Sequence, residues 1–382
     1  MTSVQAAAPA IGTLRWRPED CAVIQHAKIE EPPVIAIDDV RRVSPMLDVW
    51  DAWPLAGHDG APAPWRGGEL WFALAAPAET DPERRHYSAR LHHFRRIGDR
   101  FEALGPVFPD DWAPGSREWS GSARLDGDYT RLYFTAAGTK GECSPTYRQR
   151  LFVTRAVLSA GGDAAFGQWS EPEELLTPGG PYLDADGSDG QIGEIKAFRD
   201  PFPWREPGAG DYLLFTASSA VDTGPFNGLI GIAAAGSDGR FRPLSPLVDA
   251  TGTNNELERP HIVRHGGRLY LFWSTQAKVF APGIAAPTGL YGATAPDIGG
   301  PWELLNGHGL VFANPHREPF QAYSWWVLPD LSVASFIDYW GIDDPDANEK
   351  PLGRDRFGGT FAPFLRIALD GTTAQLMQSA DR

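Results

Sequence analysis

The sequence predicts an all-β chain arranged as a five-bladed β-propeller, and three observations carry that expectation. One strand phrase recurs five times, aromatic and turn-forming residues are abundant together, and no apolar stretch has the length and period of an amphipathic helix. The 14 Trp, 20 Phe and 10 Tyr sit among 42 Gly and 34 Pro, a mixture suited to many short strands joined by turns.

The recurring phrase is a turn residue followed by alternating aromatic and aliphatic positions. Its instances are Gly68 to Ala73, Thr130 to Thr135, Gly210 to Phe215, Gly267 to Phe272 and the weaker Asp330 to Phe336. They recur at uneven intervals of about 55 to 80 residues, longer than the ~40 to 50 of a standard four-strand repeat but with room for loops. Five recurrences suggest five blades; a β-sandwich, whose strands also alternate, is the alternative. Further strands are expected at Arg90 to Phe94, Gln149 to Thr154, Leu229 to Ala233 and Phe364 to Ile367, separated by Pro, Gly and Asp clusters. No charge block or low-complexity linker marks a boundary, so residues 31–382 are expected to form a single domain behind a flexible segment over 1–30.

Composition excludes several function classes. With 49 acidic against 34 basic residues and a net charge of -15, the chain has no basic footprint for a phosphate backbone, which argues against nucleic acid. No stretch approaches the roughly 20 apolar residues of a membrane span, and the N-terminus has no charged segment followed by an apolar one. These features predict a soluble protein without a membrane partner, either cytoplasmic or secreted without a recognisable signal peptide. Cys21 and Cys143 have no metal-ligand or redox spacing and read as two free thiols.

Chemistry collects shortly ahead of the repeated phrases, at Trp50-Asp51, Trp119-Ser120, Arg199-Asp200, Glu258-Arg259 and Gln321-Ala322-Tyr323. If the repeats are equivalent, residues at one phase meet at one mouth of the central channel. Three carboxylates, two tryptophans, two arginines and a tyrosine would then share a pocket. Such a set suits glycosidic cleavage, whose oxocarbenium-like transition state needs one carboxylate beneath the anomeric carbon and one carboxylic acid beside the leaving oxygen. Aromatic rings would stack on the apolar face of a sugar, and Arg with Asp would bind its hydroxyls. Each residue alone has a plainer reading. Asp51 and Asp200 could be turn residues, Glu256, Glu258 and Arg259 a surface ion pair, Trp50 and Trp119 core residues. Their shared phase is what favours a site.

At these residues the sequence resembles the levansucrase and β-fructofuranosidase family, glycoside hydrolase family 68. Val49-Trp50-Asp51-Ala52-Trp53-Pro54 is similar to its nucleophile motif, Glu118-Trp119-Ser120-Gly121-Ser122-Ala123 to its sugar-contacting motif, and Phe198-Arg199-Asp200-Pro201 to its stabiliser motif. Glu256-Leu257-Glu258-Arg259-Pro260-His261 is similar to its acid/base motif. Further similarity at Asn314-Pro315, Gln321 to Ser324, Ser335 to Asp338 and Gly358 to Pro363 extends the resemblance over about residues 45 to 367. It implies a five-bladed propeller with a central funnel-shaped active-site pocket, sucrose and sugar acceptors as partners, and no redox cofactor. The roles it implies are Asp51 as nucleophile, Glu258 as acid/base and Asp200 as transition-state stabiliser. Trp50, Trp119, Ser120, Arg199, Glu256, Arg259, Gln276 and Tyr323 would bind substrate, with Ser120 bracing Asp51.

The implied reaction is retaining. Asp51 attacks the fructosyl anomeric carbon, Glu258 protonates the glucosyl oxygen, and fructosyl then passes to a sugar or to water. A mainly hydrolytic invertase is the alternative on the same substrate; an arabinan- or xylan-type glycosidase and an inactive sugar-binding propeller stand further off. Three departures bear on the rim. Gln276 stands where the family usually has Arg or His, Thr216 where it commonly has Glu, and Phe202-Pro203-Trp204 follows Pro201. Loss of charge from the rim would alter the leaving group or weaken polymer synthesis. No calcium-binding cluster is matched, and Asp184, Asp186 and Asp189 read as a solvated acidic loop.

Overall fold

The computed structural model describes residues 11–162, 164–185 and 195–377. Asp186 and Asp189 lie outside the described residues, while Asp184 is exposed. The architecture is all-β. The described strands form antiparallel meanders that follow one another along the chain. The first runs through Leu47–Ala56, Gly68–Pro77, Arg90–Ile97 and Arg100–Pro106, and the second through Arg117–Asp126, Tyr129–Ala137, Gln149–Val157 and Glu173–Leu176. A two-residue parallel ladder, Leu55 with Ala123 and Ala56 with Arg124, joins these two into one sheet. The next three meanders open with Phe198–Glu206, Glu258–His265 and Ala322–Val327, each followed by an antiparallel second strand.

The phrases found in the sequence are the second strands, observed as Gly68–Pro77, Tyr129–Ala137, Gly210–Ser218, Arg268–Thr275 and Ser332–Tyr339. The motif segments ahead of them, readable as turns, are themselves the opening strands. They carry Pro54, Pro201, Pro203 and Pro260, which is tolerable because an opening strand is antiparallel-paired on one side only, and an edge has no need of every N–H. The opening strands touch in a closed cycle: 47–56 with 117–126, then 198–206, 258–265, 322–327 and back to 47–56.

Aromatic rings close the first meander onto the last. Phe361 stacks on Phe101 with centroids 3.6 Å apart and meets Phe94 edge-on at 5.2 Å, while Trp71 meets Phe364 at 5.6 Å. Arg42 and Arg354 both grip the fully buried Asp48, at 2.7 and 2.6 Å. Burial of each such ring is worth about 1.5–3 kcal/mol, so the chain ends are held by packing as well as charge.

The expectation of flexibility over 1–30 fails from Ile11 onward. Leu14–Arg15 pairs in parallel with Val248–Asp249. Trp16 packs against Trp273, Phe280 and Tyr291 at 5.1–5.5 Å. Trp16, Cys21 and Ile24 are buried, so this segment covers apolar surface that would otherwise face water. Cys21 and Cys143 are free thiols, the first buried and the second exposed. No helix among the described residues is long and apolar enough to cross a membrane.

Candidate active site

Each opening strand is interrupted at the same register. Pairing with the second strand shifts between Trp50 and Trp53, Trp119 and Gly121, Arg199 and Phe202, Glu258 and His261, and Tyr323 and Trp326. At four of these bulges one residue adopts left-handed backbone: Asp51 (φ 52), Asp200 (φ 62), Arg259 (φ 53) and Ser324 (φ 61). Side chains normally alternate faces along a strand, but a bulge places two residues opposite one and re-aims them. Trp50 with Asp51, Trp119 with Ser120, and Arg199 with Asp200 can thus line one pocket together. On the opening strand Arg117–Asp126, Gly121 makes the close approach possible, since a Cβ there would sit 2.0 Å from the Tyr133 carbonyl oxygen.

The bulges revise the single-phase picture. Trp50, Trp119, Arg199, Glu258 and Tyr323 share one register position, paired with Leu74, Thr135, Thr216, Ser274 and Phe336. Asp51, Ser120, Asp200, Arg259 and Ser324 occupy the next. Glu258 therefore comes from one level and Asp51 and Asp200 from the adjacent one. Non-glycine residues held in left-handed backbone cost about 1–3 kcal/mol each and concentrate at functional sites.

All eleven residues expected at the site line this pocket. Ser120 Oγ donates to Asp51 Oδ2 at 2.6 Å, fixing the carboxylate. Thr216 Oγ1 donates to Asp200 Oδ2 at 2.8 Å; Asp200 Oδ2 also accepts from the Arg259 N–H at 3.2 Å. Arg199 lies 2.8 Å from Glu258 Oε1, 3.5 Å from Glu256 and 3.7 Å from Asp200. Trp119 Nε1 is buried without a hydrogen-bond partner, and the Tyr323 hydroxyl and the Glu256 carboxyl face no hydrogen-bond partner but Glu258. A hydroxyl-rich ligand would satisfy them.

Arg259 lines the pocket and is also tied to the main chain around it. Its guanidinium donates to the Ser324 carbonyl and hydroxyl and to the Ala52 carbonyl, and it lies over the Trp53 and Trp326 rings at 5.4 and 4.9 Å. A side chain committed in this way ties three opening strands together beneath the pocket. Two departures expected at the rim are not there. Thr216 is fully buried beneath Asp200, and Phe202, Pro203 and Trp204 line a separate cavity with His261 and Trp326. Only Gln276, half-buried, stands in the pocket wall.

Burial pushes Asp200 up to about 6, aided by the charges of Glu258 and Asp51 and opposed by Arg199 and Thr216. Burial likewise pushes Glu256 up to about 8. Burial is the largest influence on Glu258 and opposes its ionisation, yet the Arg199 charge and the hydrogen bonds from Tyr323, Glu256 and Arg199 together hold that carboxyl below its ordinary range. At neutral pH the Glu256 and Glu258 pair thus retains one proton, resting on Glu256. Because folded Asp200 binds its proton more tightly than the unfolded chain does, its contribution to stability is present below 3.8 and is lost as pH rises through about 6. Activity that needs ionised Asp200 runs the other way and falls below about pH 6. Removing the Thr216 hydroxyl removes a bond to the ionised form, so Thr216→Val should shift the acid limb of kcat upward and lower kcat. Thr216→Ser should restore both. An acid limb identical in Thr216→Val and wild type contradicts the positioning role.

The levansucrase/invertase family model matches residues 7–227 and 223–381. The chain belongs to glycoside hydrolase family 68. It is 30% identical over 402 residues to a levansucrase of Rahnella aquatilis, covering 93% of this chain and 92% of the relative. Among solved structures, an inulosucrase from Halalkalicoccus jeotgali bound to kestose is 35% identical with a TM-score of 0.84, covering 96% of this chain and 95% of its own. A levansucrase from Gluconacetobacter diazotrophicus, at 24% identity and a TM-score of 0.79, covers 97% of this chain and 90% of its own and shares the fold.

Within this family member the pocket mouth holds residues that sequence reasoning missed. Arg85 and His86, on the short helical turn Pro82–Tyr87, pack on Trp50 at 5.4 and 5.6 Å. Burial drives His86 well below its ordinary range, with Arg85 adding to the effect, so the imidazole is neutral. Glu83, Lys278 and Lys350 complete the rim. The available signal was Asp81-Pro82, a helix start, confirmed by the Asp81 side chain accepting from Glu83 N–H. Among the described residues no cluster of metal-ligating side chains is present.

Proposed function

We propose that this protein is a retaining β-fructosyltransferase that cleaves sucrose through a fructosyl-enzyme on Asp51, within a five-bladed propeller whose blades surround a funnel-shaped pocket. The successive meanders, the closed cycle of opening strands and the bulges facing one pocket support the architecture. The observation that carries the chemistry is the placement of Asp51, Asp200 and Glu258 on bulged opening strands around one pocket, in a chain related to sucrose-named enzymes.

Asp51, oriented by Ser120, attacks C2 of the fructosyl unit, the bond to the glucosyl oxygen breaks, and the proton held by the Glu256 and Glu258 pair reaches that oxygen through Glu258. Positive charge developing on the fructosyl ring is opposed by ionised Asp200, whose hydrogen bonds to sugar hydroxyls tighten as the charge grows. Trp50 and Trp119 offer stacking faces. In the second half Glu258 takes the acceptor's proton as its oxygen attacks C2 and Asp51 leaves.

Chromatography of the products from sucrose tests this reading. Glucose released in excess of fructose is the result expected of transfer. Equal amounts would place the protein with the hydrolytic enzymes of the same mechanism, and no release of either sugar would overturn the reading.

A further inference from the structure

Each opening strand is antiparallel-paired on one side, so its other side turns main-chain groups inward, where a buried N–H or carbonyl needs a partner. Two of these groups share one. The imidazole of His261, 1% exposed, lies with Nδ1 2.9 Å from the Arg259 carbonyl oxygen, and its Nε2 accepts from the Val327 N–H at 2.8 Å. Because the Val327 N–H can only donate, Nε2 carries no proton; the ring's N–H is at Nδ1 and donates to Arg259. His261 thereby stitches the opening strand Glu258–His265 to Ala322–Val327, beside the bulge of each. Burial pushes the imidazole down to about 3, which keeps it neutral and able to accept.

What the bridge holds leads to a catalytic carboxylate. Arg259 stands at its bulge with φ 53, and its N–H donates to Asp200 Oδ2 at 3.2 Å and lies 3.1 Å from Thr216 Oγ1. A non-glycine residue stays in left-handed backbone only where its surroundings over-determine it, and His261 supplies a fixed partner for its carbonyl. The ring is itself clamped. It stacks on Trp326 with centroids 4.4 Å apart and planes 10° from parallel, and Trp326 carries the Arg259 guanidinium at 4.9 Å. His261 and Trp326 also line the separate cavity, of about 330 Å³, so packing is incomplete on that side and the two hydrogen bonds set the ring's position.

We propose that His261 is a positioning residue of the reaction: through the main chain of Arg259 it aims the N–H that holds the Asp200 carboxylate facing the fructosyl ring. The inference rests on the fructosyl-transfer reading. Asp200 faces Arg199 and Thr216 and, from other opening strands, the charges of Asp51, Glu258 and Arg259. Among these contacts the Arg259 N–H is the one His261 sets. Once it is loosened, ionised Asp200 loses a donor, and the charge developing in the transition state meets a carboxylate out of place. Ground-state binding of sucrose suffers less, because the bonds from Asp200 tighten only as that charge grows.

The test uses the full chain with sucrose in wild type, His261→Phe and His261→Gln, reading kcat, KM, the acid limb of kcat and a thermal midpoint. Phe keeps a ring to stack on Trp326 and loses both hydrogen bonds. His261→Phe should lower kcat about tenfold or more with KM changed less than about threefold, and move the acid limb upward by about half a pH unit. His261→Gln, with a donor and an acceptor in its amide, should recover part of both losses. Nitrogen-15 resonances of the wild type read the bridge itself. The pair missing from His261→Gln should show Nδ1 protonated and Nε2 bare between about pH 8 and 5. A proton on Nε2 overturns the proposal, whether or not His261→Phe folds. So does a folded His261→Phe with wild-type kcat, or one with lower kcat and an unmoved acid limb, the mark of a merely structural role. A wild type releasing no glucose would instead sink the fructosyl-transfer reading, taking this inference with it.

Discussion

Asp51→Asn is expected to lower sucrose cleavage by about 10⁴-fold or more, the scale of losing a nucleophile from a group that acts as a unit. The substitution preserves the fold, which gives the result its meaning. Asn matches Asp in volume and is among the residues that tolerate left-handed backbone, so φ 52 at this bulge can persist. Ser120 Oγ can still donate to the amide oxygen across the present 2.6 Å contact. What disappears is the anionic oxygen able to bond C2. Initial rates of glucose release and a thermal midpoint, measured side by side, check both halves. A variant within tenfold of wild type would sink the assignment of Asp51, and a large drop in midpoint would mean that the loss reports folding instead.

Glu258→Gln should cost about 10²–10⁴-fold in kcat for sucrose, the range for removing a positioned proton donor. The penalty should depend on the leaving group. A β-fructosyl fluoride expels fluoride without a proton, so its first step should be far less affected, and the fructosyl-enzyme should accumulate because base assistance to the acceptor is also missing. Arg199 would lose its partner at 2.8 Å but keep Glu256 at 3.5 Å and Asp200 at 3.7 Å, which limits the structural disturbance. With the neighbouring charge gone, Glu256 should titrate below about 8. The basic limb of the wild-type profile, set by the proton of the pair, should lie near that value and be lost in the variant. Equal penalties for sucrose and the fluoride would contradict an acid role for Glu258.

Much of this was legible in the sequence because both signals are local. A second strand shows itself by a short run of aromatic and aliphatic residues, as Leu132, Tyr133 and Phe134 do, all buried, and its five recurrences mark the meanders. The carboxylates were legible because short motifs tie each to a distinctive neighbour. The opening strands were not, since Pro54, Pro201 and Pro260 and the left-handed bulges break the alternation by which strands are recognised. The same breaks bring consecutive residues into one pocket. Thr216 was misplaced for a related reason. Sequence gives a residue's neighbours along the chain but not its depth, and Thr216 lies beneath the site, where its hydroxyl serves Asp200. Trp16 and Cys21 were read as part of a flexible extension because their partners, Trp273 and Tyr291 among them, lie far along the chain.

The mechanism turns on a covalent fructosyl-enzyme at Asp51, and mass analysis of acid-quenched protein tests it most directly. Glu258→Gln incubated briefly with β-fructosyl fluoride, then digested, should yield a peptide spanning Val49 to Leu55 that is heavier by one anhydrohexose and carries the label on Asp51. A label on another carboxylate, or rapid turnover with no labelled peptide and inversion at the anomeric carbon, would contradict the mechanism.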